Sequence, residues 1–191
     1  LDMFGDPVTN PKGWDRGNID GIVDTPKDDI RCGPFGTQLK VAELVPKGVP
    51  LWGIENVLND EFIPRTSKFL TTEKATQLFR FDAKPGDVLV TRMGTVGRAC
   101  VVPEWAGEGR ISYHLFRIRP SLQKCLPEFL SATICRSGVF HHQLQILAHG
   151  AIMDGLSTSN LREIMFLLPP LEKQKKFVEI VETVERKTRN Q

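Results

Sequence analysis

Apolar and polar residues alternate with a period of two along short stretches in the middle of the chain, which predicts β-strands there. Pro85-Gly86 suits the centre of a type II turn that leads into the first strand, because glycine tolerates the positive φ of that turn. Gly94 and Gly97 bracket a tight reversal between the first strand and the second. The pattern therefore predicts a three-stranded meander, with strands over Val88–Val90, Arg98–Val102 and Ile111–Arg119.

The third strand of this meander is expected to have one apolar face and one basic face. Phe116 and Ile118 alternate with Arg117 and Arg119, which is the period of a half-buried strand. The planar fork of arginine matches phosphate and guanine edges, so an exposed arginine face is a candidate contact for DNA. The alternative is an ordinary solvated face whose arginines pair with nearby acidic residues.

The rest of the chain shows strands and loops first and helices later. Further predicted elements are a strand over Asn18–Asp24, a strand over Pro50–Val57 with Trp52 in the core, a short helix capped by Thr71 or Thr72, two short helices between Pro127 and Leu147, and a strand over Ile164–Leu168. Together the elements predict an α/β (α+β) fold with a curved, mostly antiparallel sheet and short helices, followed by a long C-terminal coiled-coil helix.

The segment from Leu171 onwards is charged at most positions but carries a narrow apolar stripe with the spacing of a coiled-coil seam. A helix with so narrow a stripe needs a partner that buries it, so pairing through this helix is expected. The predicted seam consists of Phe177, Ile180, Val181 and Val184.

Two glycine-rich loops are candidates for binding. In the loop that starts at Gly33, glycines and a proline frame Phe35, and the alternative is that this ring folds back onto the core. In the loop that starts at Gly150, glycines bracket a small apolar tip, and the alternative is a plain connector between a helix and a strand.

The composition narrows the classes of function. A chain of 191 residues with 40% hydrophobic content suits one globular domain with its own core. A formal net charge of +2 means that a nucleic-acid role requires basic residues segregated onto one face. The four cysteines form no CxxC pair, which favours reduced thiols in a cytoplasmic protein, and no apolar run approaches the roughly 20 residues of a membrane span.

Motifs of catalysis, metal binding and nucleotide binding are missing from the sequence. No GxGxxG follows a predicted strand, no GxxxxGK[ST] occurs, no serine lies in a GxSxG elbow, and the four histidines lack metal-ligand spacing. We therefore expect no catalytic residues, no metal and no cofactor. An enzyme with a dispersed active site stays open as an alternative.

Several segments resemble, in order, the target recognition domain of a type I restriction-modification specificity subunit. They are GPFGTQLK at Gly33–Lys40, PLWGIENV at Pro50–Val57, KPGDVLVTRMGTVGRACVVPE at Lys84–Glu104, ISYHLFRIRP at Ile111–Pro120, GAIMDGLS at Gly150–Ser157 and FLLPPLEKQKKFVEIVE at Phe166–Glu182. The resemblance implies a subunit without chemistry of its own, in which two recognition domains each recognise half of a split double-stranded DNA sequence. It also implies methyltransferase (modification) subunits docked on long helices and a motor-nuclease (restriction) subunit that completes the complex.

The same resemblance implies a division of the chain. Residues 1–14 would be the end of a preceding helix and its linker, residues 15–168 the DNA target recognition domain, and residues 169–191 the start of a conserved coiled-coil spacer helix. The chain would then be either a fragment or a half-subunit that pairs through its helix seam to recognise a bipartite site.

The residues expected at the DNA come from four loops and the basic strand face. They are Gly33, Phe35, Gly36, Thr37, Gln38, Lys40, Arg92, Gly94, Thr95, Arg98, Ser112, His114, Arg117, Gly150 and Asp154.

Individual roles follow from side-chain chemistry. Arg92 and Arg98 are expected to contact guanine or phosphate. Gln38 and Asp154 could pair with adenine or cytosine edges, while Lys40 and Arg117 hold the backbone. The rival hypotheses are a protein-interaction scaffold that docks through its terminal helix and, less favoured, a DNA-modifying enzyme.

Overall fold

A computed structural model describes residues 9–149 and 155–189 of the chain. Within these ranges it contains twelve strands and six α-helices. The strands are β1 (Asp15–Gly17), β2 (Ile30–Cys32), β3 (Val49–Trp52), β4 (Val57–Leu58), β5 (Glu61–Phe62), β6 (Phe69–Leu70), β7 (Asp82–Ala83), β8 (Val88–Thr91), β9 (Ala99–Val101), β10 (Gly109–Ile111), β11 (Leu115–Ile118) and β12 (Phe166–Leu168). The helices are α1 (Pro26–Asp29), α2 (Thr72–Gln77), α3 (Pro127–Arg136), α4 (Gly138–His149), α5 (Thr158–Glu163) and α6 (Leu171–Arg189).

Two four-stranded sheets form the centre of the fold. One has the order β2-β11-β8-β9 with every neighbouring pair antiparallel. The other has the order β6-β3-β10-β7, in which β10 runs parallel to β3 and antiparallel to β7. Two-stranded ladders join β1 to β12 and β4 to β5. The expected α/β class with mostly antiparallel strands and short helices is confirmed.

The predicted hairpin at the centre of the chain is confirmed as β8 and β9. Gly86 has a φ of 86°, and the amide of Asp87 donates to the carbonyl of Lys84 over 3.0 Å, so a tight turn leads into β8. Gly94 and Gly97 also take positive φ values, 69° and 88°, in the loop that reverses the chain. Glycine is needed at these positions because other residues rarely adopt such angles.

The prediction of one continuous strand over Ile111–Arg119 is wrong, because the chain changes sheets in its middle. The amide of Ser112 donates to the carbonyl of Trp52 over 2.8 Å, which keeps β10 in the sheet with β3. The amide of Leu115 then donates to the carbonyl of Ser112 over 3.0 Å, so the chain turns before β11. Residues 112–114 therefore form a loop between the two sheets.

The predicted strand over Asn18–Asp24 is also wrong. Ile19–Ile22 form a 3-10 helix, and the side chain of Asn18 caps it by accepting a bond of 3.1 Å from the amide of Gly21. Ile19 and Ile22 are both fully buried, and a spacing of three residues brings two side chains to one face of a 3-10 turn. The apolar pattern was therefore real, but its period was misassigned.

Helices α3, α4 and α5 pack on the all-antiparallel sheet and share its core, whereas α2 packs against β3 and β6 of the other sheet. As predicted, two short helices, α3 and α4, meet at Ser137 and Gly138, and Thr71 caps α2 by accepting a bond from the amide of Lys74. Trp52 is 2% exposed and lies in the core, as expected. The largest apolar cluster joins residues of β8 and β11 to residues of α3, α4 and α5.

Helix α6 is fastened to the domain at its first turns. The side chain of Gln174 is fully buried, accepts a bond of 2.9 Å from the amide of Leu126, and donates to the carbonyls of Lys124 and Pro169 over 3.1 and 2.9 Å. Phe177 lies edge-on to Phe129 of α3, with ring centroids 5.9 Å apart. The helix is thus part of the domain and is held there by buried polar bonds as well as by packing.

This docking changes the expected seam. Phe177 is 7% exposed and Val181 is partly buried, and both pack against the domain core, so the prediction that they face a separate partner is wrong. Ile180 and Val184 remain exposed. Coiled-coil pairing stays a prediction.

Among the described residues, no helix is both long enough and apolar enough to cross a membrane.

Candidate nucleic-acid interface

Three of the predicted contact loops leave the all-antiparallel sheet at one end. Leu115, the first residue of β11, lies opposite Thr91, the last residue of β8, and the last residue of β2 lies on the other side of β11, opposite Phe116. Antiparallel neighbours therefore place the loop after β2, the loop after β8 and the loop before β11 side by side. We call the loop end the set formed by residues 33–40, 92–98, 112–114 and 155–157.

Arg92 connects these loops. Its amide donates to the carbonyl of His114, and its own carbonyl accepts from the amide of Leu156, each over 2.9 Å. Its side-chain Nε donates to the carbonyl of Leu156 over 2.9 Å, and Nη1 donates to the carbonyl of Tyr113 over 3.1 Å. The guanidinium carbon lies 5.6 Å from the ring centroid of Phe35, within cation–π range. These partners belong to three different loops.

Phe35 stands at the tip of the first loop and is 56% exposed. A turn fixes it, since the amide of Gln38 donates to the carbonyl of Phe35 over 2.8 Å and the side chain of Gln38 accepts from the amide of Phe35 over 3.2 Å. The alternative that Phe35 folds back into the core is wrong. The ring is held between a buried guanidinium and open solvent.

Two glycines allow the loops to approach so closely. A Cβ atom on Gly33 would lie 2.1 Å from the carbonyl oxygen of Ser112. Gly155 has a φ of 70°, and a Cβ atom there would lie 2.5 Å from the carbonyl oxygen of Arg92. Any larger residue would have to push one backbone away from another, so the loop end is built from main-chain contacts that only glycine permits.

Tyr113 is part of this surface although the sequence analysis passed over it. It is 40% exposed, and its ring centroid lies 3.7 Å from that of His114. The signal in the sequence was that it is the only tyrosine of the chain and lies between two residues that were selected. Tyrosine suits binding surfaces because it joins a large apolar ring to a hydroxyl.

Two titratable groups, His114 in the loop end and Cys32 beside it, have shifted pKa values. Burial lowers the pKa of His114, with a further contribution from the positive charge of Lys68. Burial also raises the pKa of the Cys32 thiol, against an opposing effect of Arg92. The protonated thiol lies 3.8 Å from the carbonyl of Tyr113, as a weak donor to it.

The loop between β8 and β9 is closed by the side chain of Thr91. Its hydroxyl donates to the carbonyl of Thr95 and accepts a bond of 3.0 Å from the amide of Arg98. The backbone of the loop is therefore ordered by internal bonds, while Gly94 and Thr95 at its tip are exposed.

The predicted site residues fall into three groups. Phe35, Gly36, Thr37, Gln38, Lys40, Gly94 and Thr95 are exposed, and Arg98, Ser112 and His114 are half-buried. Gly33, Arg92 and Arg117 are buried. Gly150 and Asp154 lie outside the described residues. Arg92 was expected to contact guanine or phosphate, but its guanidinium is buried and turned inward, where it holds neighbouring loops.

The basic strand face is not exposed either. Arg117 is 1% exposed, forms an ion pair of 3.0 Å with Asp82 and donates to the carbonyl of Asp28. Arg119 bonds to both carboxylate oxygens of Asp87 over 2.7 Å and to Asp82 over 2.9 Å. The prediction of a solvent-facing basic strand is wrong, and the alternative that these arginines pair with acidic neighbours is confirmed for both.

We call the group Asp82, Asp87, Arg117 and Arg119 the ionic end. It lies toward the end of the sheet opposite the loop end, because Asp87 precedes β8 and Arg119 follows β11. Burial lowers the pKa of Arg117, whereas bonds to Asp87 and Asp82 outweigh burial at Arg119 and raise its pKa. Both arginines stay charged at neutral pH, and their charges are compensated inside the domain.

Metal ligands do not gather in the part of the chain that the structure describes. There, no group of three or more histidine, cysteine or carboxylate side chains is arranged to hold a metal ion. What the loop end can offer a ligand is aromatic surface, amide and hydroxyl groups and positive charge.

Comparison with known protein families identifies one family model that matches this chain. The model of the type I restriction modification DNA specificity domain matches residues 11–191. No similar sequence was found among curated proteins.

Solved structures with a similar fold include three from type I systems. One, from a study of complex assembly and conformational transition of the type I R-M system, has a TM-score of 0.64 at 18% identity and matches 93% of this chain and 39% of its own. The HsdS subunit from Thermoanaerobacter tengcongensis has a TM-score of 0.59 at 18% identity, with 93% and 38% covered. The type I restriction-modification S subunit from M. genitalium has a TM-score of 0.59 at 12% identity, with 92% and 40% covered. The chain thus spans about two fifths of the length of these structures.

Proposed function

The chain belongs to the family of type I restriction modification DNA specificity domains, and on this premise we propose that it recognises a double-stranded DNA sequence through its loop end. The observation that carries the proposal is the meeting of loops from distant parts of the sequence around Arg92. Loops on a rigid sheet are a common location for binding residues, because the scaffold fixes their relative positions.

The exposed groups of the loop end match the chemistry of a DNA groove. Gln38 offers the amide that pairs with adenine, and Thr37 offers a hydroxyl for base edges. Phe35 and Tyr113 offer apolar surface for a thymine methyl group or a sugar. Lys40 and Arg98 offer positive charge for phosphates.

The stretch that contains Gly150 and Asp154 belongs to the same proposed interface. Leu156 follows it closely in the sequence and bonds to Arg92 through both its amide and its carbonyl. In this proposal Asp154 accepts a bond from a cytosine amino group.

The proposed assembly follows from the family. Residues 15–168 form the recognition domain, and the helix that follows leads toward the docking sites of modification (methyltransferase) subunits and of a restriction (motor-nuclease) subunit. The chain recognises one half of a bipartite sequence and leaves methylation and cleavage to these partners. The exposed side chains of Ile180 and Val184 are available for contact along α6.

Selection from a random duplex library tests the proposal. The 191-residue chain, with its modification subunit, is used to retain DNA at two salt concentrations, and the retained DNA is sequenced. We expect enrichment of a short half-site, or of two copies at a fixed spacing if the chain works in pairs. Salt-sensitive retention without any enriched sequence, or no retention, would refute sequence recognition and favour the scaffold hypothesis.

Two lysines at opposite ends of the sheet provide a matched comparison. Lys40 lies in the first loop of the loop end, whereas Lys84 lies in the turn before β8, beside the ionic end, and both are exposed. If the loop end holds DNA, Lys40→Ala weakens binding to all sequences and lowers the slope of log affinity against log salt by about 0.9. Lys84→Ala removes the same charge and leaves affinity and slope unchanged. Equal effects of the two variants would place the DNA elsewhere.

A further inference from the structure

The side chain of Arg92, a predicted contact residue, bonds to several loops at once. The residue is 5% exposed, and its donors are directed at the main-chain carbonyls of Tyr113 and Leu156. A bond to a carbonyl fixes the course of a backbone, which is what a loop needs to keep its side chains in a set position.

The aromatic contacts of Arg92 add a third connection. The guanidinium carbon lies 5.6 Å from the ring centroid of Phe35 and 5.8 Å from that of Phe116. Phe116 is fully buried in β11, so the guanidinium lies between a ring of the core and a ring of the exposed surface. It thereby connects the tip of the first loop to the rigid sheet.

We propose that Arg92 is a positioning residue that sets the sequence discrimination of the loop end by holding three other loops in register, without itself touching DNA. The inference rests on the proposed function of the loop end. Discrimination needs several side chains at the correct spacing from successive bases, so one buried side chain controls recognition at several base pairs together.

Arg92→Lys is the informative variant. Lysine keeps the positive charge but lacks the Nε donor that bonds to Leu156 and the planar group that faces Phe35. The main-chain bonds of residue 92 to His114 and Leu156 are unaffected by the side chain, so the loops should loosen while the domain stays folded.

Arg80→Lys is the matched control. The guanidinium carbon of Arg80 also lies 5.6 Å from a phenylalanine ring centroid, that of Phe79, and both residues are exposed outside the loop end. The two variants make the same chemical change at an arginine–phenylalanine contact, once inside the proposed interface and once outside it.

The first measurement is amide hydrogen exchange of the free chain, which requires no DNA. In Arg92→Lys the amides of Gln38, Leu115 and Leu156 should exchange about tenfold faster or more, because the side chain loses its planar contact with Phe35 and its charged hydrogen bonds to the other two loops. Amides of β8 and β11 away from the loops should keep their protection, and Arg80→Lys should match the wild type. Unchanged exchange at all three loop amides overturns the proposal.

The second measurement compares affinity for the selected duplex with affinity for a scrambled duplex of equal length. Arg92→Lys should lower this ratio about tenfold, with discrimination reduced at several base pairs and with the salt slope of the wild type. Loss of discrimination at one base pair would make Arg92 a base contact, and a changed salt slope would make it a phosphate contact. Either result, or an unchanged ratio, overturns the proposal.

The two measurements separate this inference from the function on which it rests. If the wild-type chain enriches no sequence, both the proposed function and the claim about sequence discrimination fail. Amide hydrogen exchange still decides in that case whether Arg92 orders the loops. If the wild type is selective and Arg92→Lys is equally selective, only the inference about Arg92 fails.

Discussion

The two ends of the all-antiparallel sheet contain arginines from one short stretch of sequence in opposite situations. At the ionic end, Arg117 and Arg119 bond to Asp82 and Asp87, so that positive and negative charges compensate each other within the domain. At the loop end, Arg92 bonds to carbonyl oxygens and lies against aromatic rings. The same residue type stabilises the fold at one end and shapes a proposed binding surface at the other.

The difference teaches that the number of arginines in a segment says little about its affinity for DNA. The register of the strands decides which arginine meets a carboxylate. Arg117 lies opposite Leu89 within its own sheet, and its ion-pair partner Asp82 comes from the neighbouring sheet. A basic face in the sequence therefore becomes a compensated ion network in the fold. Positive charge for DNA is then left to scattered residues of the loops.

The largest effect that would test this comparison is expected at the ionic end. Arg119→Ala leaves the carboxylate of Asp87, whose side chain is 1% exposed, without two bonds of 2.7 Å, and should lower the free energy of unfolding by about 3 to 5 kcal/mol. Urea denaturation measures the loss. The double variant Asp87→Leu, Arg119→Met should recover most of it, because no charge is then left buried alone. A loss below about 1 kcal/mol for Arg119→Ala would contradict a structural role, since surface pairs contribute that little.

A smaller effect, on DNA and not on folding, is expected at the loop end. Phe35→Ala should weaken binding to the selected duplex by about 1.5 to 3 kcal/mol, the range for burying a phenylalanine side chain, here against a thymine methyl group or a sugar. Stability should fall by no more than about 1 kcal/mol, the value of one exposed contact between a ring and a cation. Phe79→Ala, at an exposed phenylalanine that also contacts an arginine, is the control for both titrations. Equal DNA affinities of the two variants would remove Phe35 from the interface.

A still smaller effect separates buried from exposed ion pairs. Arg31 pairs with Asp28 over 2.8 Å, three residues apart, and the side chain of Asp28 is 66% exposed. Arg31→Ala should therefore change the free energy of unfolding by less than about 1 kcal/mol. If thermal or urea denaturation showed a loss as large as that of Arg119→Ala, burial would not be what distinguishes the ionic end.

The smallest expected effect is a pH dependence of stability that His114 of the loop end contributes. Burial lowers the pKa of His114 below its ordinary value of 6.5, so between the two values the unfolded chain binds more protons than the folded one. His114 therefore contributes stability that is present above about pH 6.5 and is lost as the pH falls through its lowered pKa. His114→Gln should remove this part of the decline in urea denaturation series, with His142→Gln as a control at an exposed histidine of α4. A decline identical in wild type and His114→Gln would refute it.

Local chemistry made much of the fold predictable. The turn at Gly86, the hairpin of β8 and β9, the cap at Thr71 and the two helices after Pro127 follow from residues within a few positions of one another. The prediction failed where long-range partners decide. Nothing near Ile111 in the sequence shows that it pairs with Trp52 in a parallel ladder or that the strand ends at Ile111.

The candidate site divides in the same way. The exposed tip at Phe35 could be predicted from its glycine-rich frame, and loops selected one by one proved to be neighbours. The burial of Arg92 and Arg117 could not be predicted, because their partners are carbonyls and carboxylates brought in from distant segments. The partner of the seam residues in α6 was predicted wrongly for a related reason. The sequence does not show the surface of α3 on which Phe177 packs, so the apolar stripe was assigned to a separate partner.

The buried amide of Gln174 has a mechanical consequence. Helix α6 spans 19 residues and is therefore about 28 Å long. Three hydrogen bonds of the Gln174 side chain attach the start of the helix to the domain. A swing of about 10° at the root would move the far end by about 5 Å, which exceeds the rise of one base pair, about 3.4 Å. The angle at which α6 leaves the domain therefore decides where the far end of the helix lies, and the three bonds of the Gln174 side chain hold that angle.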